Sequence, residues 1–165
     1  MADINGVFCT AYEYDKKDRI ISEKYSDADG NPMRCSAGYA EIHRTWTSKG
    51  LLASEYWFDT DGSPMVLTDT YVGYEQEFDK NGKITGITYF GADGNQTVCS
   101  EGYSKVVYTY NKKKLSTEMY YLPGGDALVR QDGSSGTSYI YDKKGNLTET
   151  RLLDANGKEM TVPQE

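Results

Sequence analysis

Apolar and aromatic residues in this chain recur in blocks, and within a block they alternate with polar ones. Ile42, Tyr74, Val106, Tyr108 and Tyr139 fall at alternate positions ahead of a fixed aromatic. Period two is the mark of a half-buried strand. The fixed aromatic ends this first strand at Tyr14, Trp46, Phe78, Tyr110 and Tyr141. The strand is expected to begin near a Gly-Tyr pair, as at Gly38-Tyr39 and Gly102-Tyr103. A second strand starts at Ile20, Leu52, Ile84, Leu115 and Leu147. It ends on Tyr25, Trp57-Phe58, Tyr89-Phe90, Tyr120-Tyr121 and Leu152-Leu153. A shorter extended piece follows, such as Pro64-Met65-Val66-Leu67, which reads equally as a strand or as a linker. Helical spacing comes nearest between Lys112 and Met119, where the alignment with the other blocks overrules it.

These blocks form an internal repeat of about 32 residues, present five times: 6–37, 38–69, 70–101, 102–132 and 133–165. A fixed period of this size implies units that bury their apolar surface only against neighbours. Two turns punctuate each unit. The first is Asp-Lys-x-Gly, as in Asp79-Lys80-Asn81-Gly82, where Gly supplies a left-handed residue that closes a hairpin. Asp18 stands at that place in the first repeat, and the fourth repeat deletes it, which predicts a tighter or distorted hairpin. The second turn is Asp-x-Asp-Gly at Gly30, Gly62 and Gly94, with looser versions at Gly125 and Gly157. The fold expected is all-β: tandem hairpins forming an elongated, twisted antiparallel sheet or solenoid, in a single repeat domain over 1–165. The lead 1–5 and the tail 163–165 are expected to fray.

Composition supports β structure. Among 165 residues, 15 are Tyr and 17 are Gly, a strand former and a turn former in excess. The formal charge of −7 argues against a nucleic-acid partner, which calls for a basic surface. No apolar run approaches the roughly 18 residues of a membrane span. The N-terminus lacks a basic start and apolar stretch, so no secretory signal is read there. The chain enters its first repeat almost at once and reads as a piece of a longer protein, so compartment stays open. Cys9, Cys35 and Cys99 are an odd number; Cys9 and Cys35 lie in one repeat, but all three are expected reduced and at least half-buried.

Charge separates along the unit. The first turns hold Lys16, Lys17, Arg19, Lys49, Lys80, Lys83, Lys112, Lys113, Lys114, Lys143 and Lys144, which is 11 of the 18 basic residues. The second turns hold Asp27, Asp29, Asp59, Asp61, Asp93, Asp126 and Asp154. Units stacked in register would therefore carry one basic and one acidic edge. A basic ridge suits a polyanion such as a phosphate-bearing wall polymer; the simpler reading is that turns need solvated residues.

Other chemistry is sparse. Asp27-Ala-Asp29-Gly30-Asn31 resembles the start of a calcium loop, but the Glu an EF-hand needs six residues after its Gly is replaced by Ser36. A turn is the better reading, and no metal site is expected. His43 is the only histidine, with no Ser or Cys partner at a telling spacing. No catalytic residue and no cofactor are assigned. The recurrent aromatics are the best binding candidates: Tyr25, Trp57, Phe58, Tyr89, Phe90, Tyr120 and Tyr121, joined on the basic edge by Lys16, Lys17, Lys112, Lys113 and Lys143. An exposed ring ladder would stack on sugars or hold a cation. The alternative is that the rings fill the seam between repeats. In the doublets Trp57-Phe58, Tyr89-Phe90 and Tyr120-Tyr121 the two rings point to opposite faces.

Tyr12-Glu13-Tyr14-Asp15, Tyr108-Thr109-Tyr110-Asn111 and Tyr139-Ile140-Tyr141-Asp142 with Gly145 and Leu147 resemble the tyrosine–aspartate (YD) repeats of bacterial Rhs-type surface and toxin proteins. The Tyr-x-x-x-Gly spacing with a second aromatic about eleven residues on is similar to MORN-type hairpin repeats. Tyr89-Phe90-Gly91-Ala92-Asp93-Gly94 resembles choline-binding wall repeats, although their Gly-Trp pairs are absent. The period exceeds a MORN unit, and the Asp-x-Asp-Gly turn is foreign to YD repeats. The resemblance implies a non-catalytic β array in a bacterial surface or secreted protein. The function expected is a binding or interaction module for cell-envelope carbohydrate or a protein. The alternative is a passive spacer, with a carbohydrate-active enzyme ranked last. Unpaired strand edges at the two ends invite edge-to-edge self-association.

Overall fold

The computed structural model describes residues 7–67 and 69–161; the lead and tail expected to fray lie outside the described residues. Among the described residues ten strands form one open sheet: β1 (Cys9–Tyr14), β2 (Ile20–Ser26), β3 (Glu41–Trp46), β4 (Leu52–Phe58), β5 (Gly73–Phe78), β6 (Ile84–Phe90), β7 (Lys105–Asn111), β8 (Lys114–Tyr121), β9 (Gly136–Tyr141) and β10 (Leu147–Leu153). Spatial order follows chain order, and every strand is antiparallel to the next. Each repeat thus supplies one hairpin, and five hairpins lie side by side. At ~4.8 Å per strand the outer strands stand ~43 Å apart. The segment nearest to helical spacing is β8.

Pairing within a repeat is long, from Glu41↔Phe58 to Trp46↔Leu52 in the second. Pairing between repeats covers three residue pairs, such as Ser22↔His43, Glu23↔Ile42 and Lys24↔Glu41. A bulge follows each first turn, its extra residue lying on the second strand, as at Ala53 between Leu52 and Ser54, and in all but the fourth repeat the turn ends on a left-handed fourth residue. In the third repeat Asp79 N–H donates to Lys83 O at 2.9 Å, and Gly82, at φ 85°, donates to Asp79 O at 3.1 Å. Asp18 takes the same conformation at φ 58°. The fourth repeat closes in two residues, with Asn111 paired to Lys114 and Lys112 at φ 57°, so the deletion tightens that hairpin.

The first strands begin near the Gly-Tyr pairs Gly38-Tyr39 and Gly102-Tyr103, but the pairs themselves lie outside the strands. These glycines close a third turn, in which Gly38 N–H bonds Cys35 O and Gly102 N–H bonds Cys99 O, both at 2.9 Å. The strands begin at Glu41 and Lys105. The short extended pieces are neither full strands nor linkers. Each folds back after the second turn through single bridges such as Phe58↔Pro64 and Phe90↔Gln96. One backbone bond follows each bridge, as from Met65 N–H to Trp57 O at 2.8 Å.

These arms and third turns pack against one face of the sheet and make the core. Cys99 and Tyr103 from that upper layer meet Val106 and Tyr120 from the strands, with Tyr71, Ile87, Tyr89, Tyr108 and Leu128 around them. Ile42 and Val106 are almost fully buried on this covered face. The other face carries no second layer among the described residues. All three cysteines are free; Cys99 is buried and Cys35 half-buried, but Cys9 is exposed, because β1 has no neighbour on its outer side among the described residues.

Candidate functional site

The first turns stand in a row along one edge of the sheet, and contacts between successive turns fix their order. Lys17 Nζ donates to Ser48 O at 2.8 Å, Lys49 Nζ to Lys80 O, and Lys83 Nζ to Lys112 O at 3.4 Å. Arg19 adds a bond to Thr47 O at 2.7 Å. Adjacent turns are two strands apart, so the basic groups repeat every ~10 Å. Lys16, Lys17, Lys112, Lys113 and Lys143 are all exposed on this edge. The fourth turn is shorter than its neighbours, and between it and the fifth lies a cleft of about 830 Å³. Lys112, Lys113, Lys114, Lys143 and Lys144 line it, and the Lys114 ammonium sits 4.6 Å from the centre of the Tyr141 ring.

The turn carboxylates are committed locally. Asp15 Oδ1 accepts from Lys17 N–H at 2.8 Å and Arg19 N–H at 3.1 Å. The Arg19 side chain, followed by those backbone donors, holds the Asp15 carboxyl at about 2. At the other edge Asp27 Oδ1 accepts from Asp29 and Asn31 N–H at 2.9 and 2.8 Å. Arg34 reaches one repeat along to Asp59 and holds its carboxyl at about 2. No group of three or more acidic, His or Cys side chains is placed to hold a metal among the described residues.

The aromatic candidates divide by face. The first ring of each doublet lies on the covered face and joins a spine with Tyr71 and Tyr103, which stand just ahead of the next repeat's first strand. Ring centres are 5.9 Å apart for Trp57–Tyr71, 4.5 Å for Tyr71–Tyr89, 6.0 Å for Tyr89–Tyr103 and 4.8 Å for Tyr103–Tyr120. The Arg130 guanidinium caps the run 4.2 Å from the Tyr120 ring centre. Tyr25 pairs edge-on with Tyr39 at 5.9 Å. Burial pushes the Tyr89 hydroxyl up to about 12 and raises that of Tyr120 as well. Tyr120 is only 8% exposed and offers no ring face to a ligand, which corrects its place among the binding candidates. Tyr25, Trp57 and Tyr89 are half-buried by the same stacking.

Phe58, Phe90 and Tyr121 lie on the open face, opposite the first rings. His43 rests 4.6 Å from Phe58 and Tyr56 6.0 Å from Phe90. A cleft of about 480 Å³ beside them is lined by His43, Thr45, Ser54, Tyr56, Glu75 and Glu77 among others. Its polar groups are engaged with one another. Tyr56 OH donates to Glu75 at 3.1 Å, Lys105 pairs with Glu77 at 2.6 Å, and His43 Nε2 meets Glu41. Ser22 stands opposite His43 across β2 and β3, yet its buried Oγ makes no hydrogen bond, so no nucleophile is handed to a base there.

Sequence reasoning missed two features. Arg44 bridges Glu23 and Glu55 on the covered face, tying the first two hairpins together. The signal was available, because Arg44 faces Glu55 on the next strand and lies diagonal to Glu23 on the preceding one. Tyr56 was also overlooked, since no other repeat has an aromatic at that register.

No family model matches the chain, and no curated protein matches it.

Proposed function

We propose that this protein is a non-catalytic binding module whose ligand is an extended polyanion, of the kind a phosphate-bearing cell-envelope polymer presents, laid along the first-turn edge. The observation that carries this reading is the row of basic turns repeating every ~10 Å on one edge, widened into a lysine-lined cleft at the fourth and fifth turns. A repeating anion meets a repeating cation only if the turns are aligned, and the lysine-to-carbonyl contacts align them. The net charge of −7 is no obstacle, because at about 0.15 M salt charges beyond ~8 Å are largely screened. The rings on the open face add a second, apolar surface and do not compete with this edge.

A second reading, the passive spacer, is favoured by one specific observation: Lys17, Lys49 and Lys83 spend their ammonium groups on neighbouring turns. The two readings part at Lys112, Lys113 and Lys143, which face solvent. Binding of the chain to poly(glycerol phosphate), with a neutral glucan as control, separates them. The binding reading expects affinity that falls as salt rises and drops about tenfold or more in a Lys112→Glu, Lys113→Glu, Lys143→Glu variant. No binding at low salt, or binding unchanged in that variant, favours the spacer.

A further inference from the structure

The two outer strands of the sheet are complementary to each other. Inside the array, the second strand of one repeat pairs with the first strand of the next in a fixed register, Ser22↔His43, Glu23↔Ile42 and Lys24↔Glu41. The same register recurs at Thr117↔Ser138, Glu118↔Thr137 and Met119↔Gly136. Carried to the ends, it sets Glu149 of β10 opposite Ala11 of β1, Thr150 opposite Thr10 and Arg151 opposite Cys9. Among the described residues neither strand has a neighbour on its outer side.

The backbone groups match as well. Tyr25, Trp57, Tyr89 and Tyr120 each donate N–H to the residue just ahead of the next repeat's first strand, Ala40, Val72, Ser104 and Ser135. Their counterparts at the ends are Leu152 as donor and Phe8 as acceptor. Side chains follow the same logic. Trp46 Nε1 and Tyr110 OH each donate across the repeat boundary, to Ile20 O at 2.8 Å and Ile84 O at 2.7 Å. The corresponding pair at the ends is Tyr14 and Leu147, which are 54% and 51% exposed. Phe8 is 53% exposed, whereas Ala40 at the equivalent place is 3% exposed. The exposed side chains of Phe8, Tyr14 and Leu147 thus lie on or beside the two strands that an added repeat would cover.

We propose that the two ends are an interaction surface for a second copy of this chain, added head to tail, with β10 of one copy pairing with β1 of the next in the register used inside the array. The contact is heterologous, because the two surfaces differ, and it propagates without closing unless an end is blocked. Among the described residues each end is an outer strand edge, the feature that makes such edges adhesive. Charge is compatible with this contact: Arg151 meets no cation at Cys9, and Glu149 faces Ala11.

Sedimentation of the chain over a wide concentration range tests the proposal, with two edge-blocking variants. Thr10→Pro and Thr150→Pro each remove an N–H from an outer edge, where proline is tolerated. The wild type is expected to grow into a series of oligomers with concentration. Each variant alone stays monomeric, and an equal mixture of the two forms a dimer and nothing larger. A wild type that remains monomeric throughout overturns the proposal, as does a variant that dimerises alone. Should the prolines unfold the chain, Arg151→Cys supplies an independent reading. Mild oxidation is expected to give a ladder of disulfide-linked species that adding Cys9→Ser abolishes. A dimer that survives Cys9→Ser overturns the head-to-tail register.

Discussion

A single backbone device, repeated many times, carries most of this structure. It is a four-residue turn whose first residue receives a bond from the fourth, which is left-handed. Gly30, Gly62, Gly94 and Gly157 hold that place in second turns at φ between 74° and 84°. A Cβ at Gly94 would meet nothing within 4 Å, so Gly94→Ala isolates the conformational cost. It is expected to destabilise the fold by about 1–2 kcal/mol, measured by denaturant unfolding. The first residue of the turn sets a second, pH-dependent contribution. Asp15 and Asp59 are held at about 2, below their ordinary 3.8. Because the folded value is depressed, the stabilisation is present above about pH 4 and is lost as pH falls toward about 2. Thermal unfolding followed from pH 6 to 2 should show that loss, and Asp15→Asn should flatten it. Both turn classes with an acidic or hydroxyl first residue were legible in the sequence. The third turn was not, because Cys35, Cys99 and Arg130 occupy its first place. None of them is a turn-capping acceptor, so Gly38 and Gly102 read as strand starts.

At the scale of strands and arms, the covered face is held by a continuous run of rings, while the open face sets separate ring pairs, His43–Phe58 and Tyr56–Phe90, beside buried small residues such as Ser54 and Thr88. The aromatic spine spans repeats because each doublet contributes its first ring to one face, a consequence of strand alternation that was readable from spacing alone. What spacing could not supply was the layer that covers those rings. The arms have too few paired residues to announce themselves as strands; each makes only one bridge. Their apolar residues, such as Leu128, act by folding back onto the spine. Close approach between strands is equally invisible in one sequence. Gly73 lies in β5 against Tyr56 of β4, and a Cβ there would fall 2.2 Å from Tyr56 Cδ1 and 2.5 Å from Glu55 O. The ring could swing aside, but the carbonyl belongs to the strand itself. Gly73→Ala is therefore expected to cost about 1–3 kcal/mol through overpacking. A loss no greater than that of a glycine-to-alanine change at an open strand position would show that the two strands adjust freely.

Across the whole molecule the core is unevenly shared. The buried cluster of Cys99, Tyr103, Val106 and Tyr120 belongs to the third and fourth repeats, while β1 and β10 each have one neighbour. In an array where repeats touch only their neighbours, stability is a sum of unit and interface contributions, so the ends open before the middle. The first and second repeats are joined by a different device, the Glu23–Arg44–Glu55 bridge. Ion pairs of this kind gain little over the cost of desolvating them, in contrast to the rings packed farther along. Both tryptophans, Trp46 and Trp57, lie in the second repeat, which makes their fluorescence a local reporter, whereas far-ultraviolet circular dichroism reads all ten strands. The expected outcome is that tryptophan fluorescence changes at lower denaturant concentration than the dichroism. Arg44→Met should alter the fluorescence transition while leaving the later part of the dichroism curve in place. Coincident transitions in the wild type would mean that the five hairpins unfold as one cooperative unit, with the aromatic spine coupling the second repeat fully to the fourth.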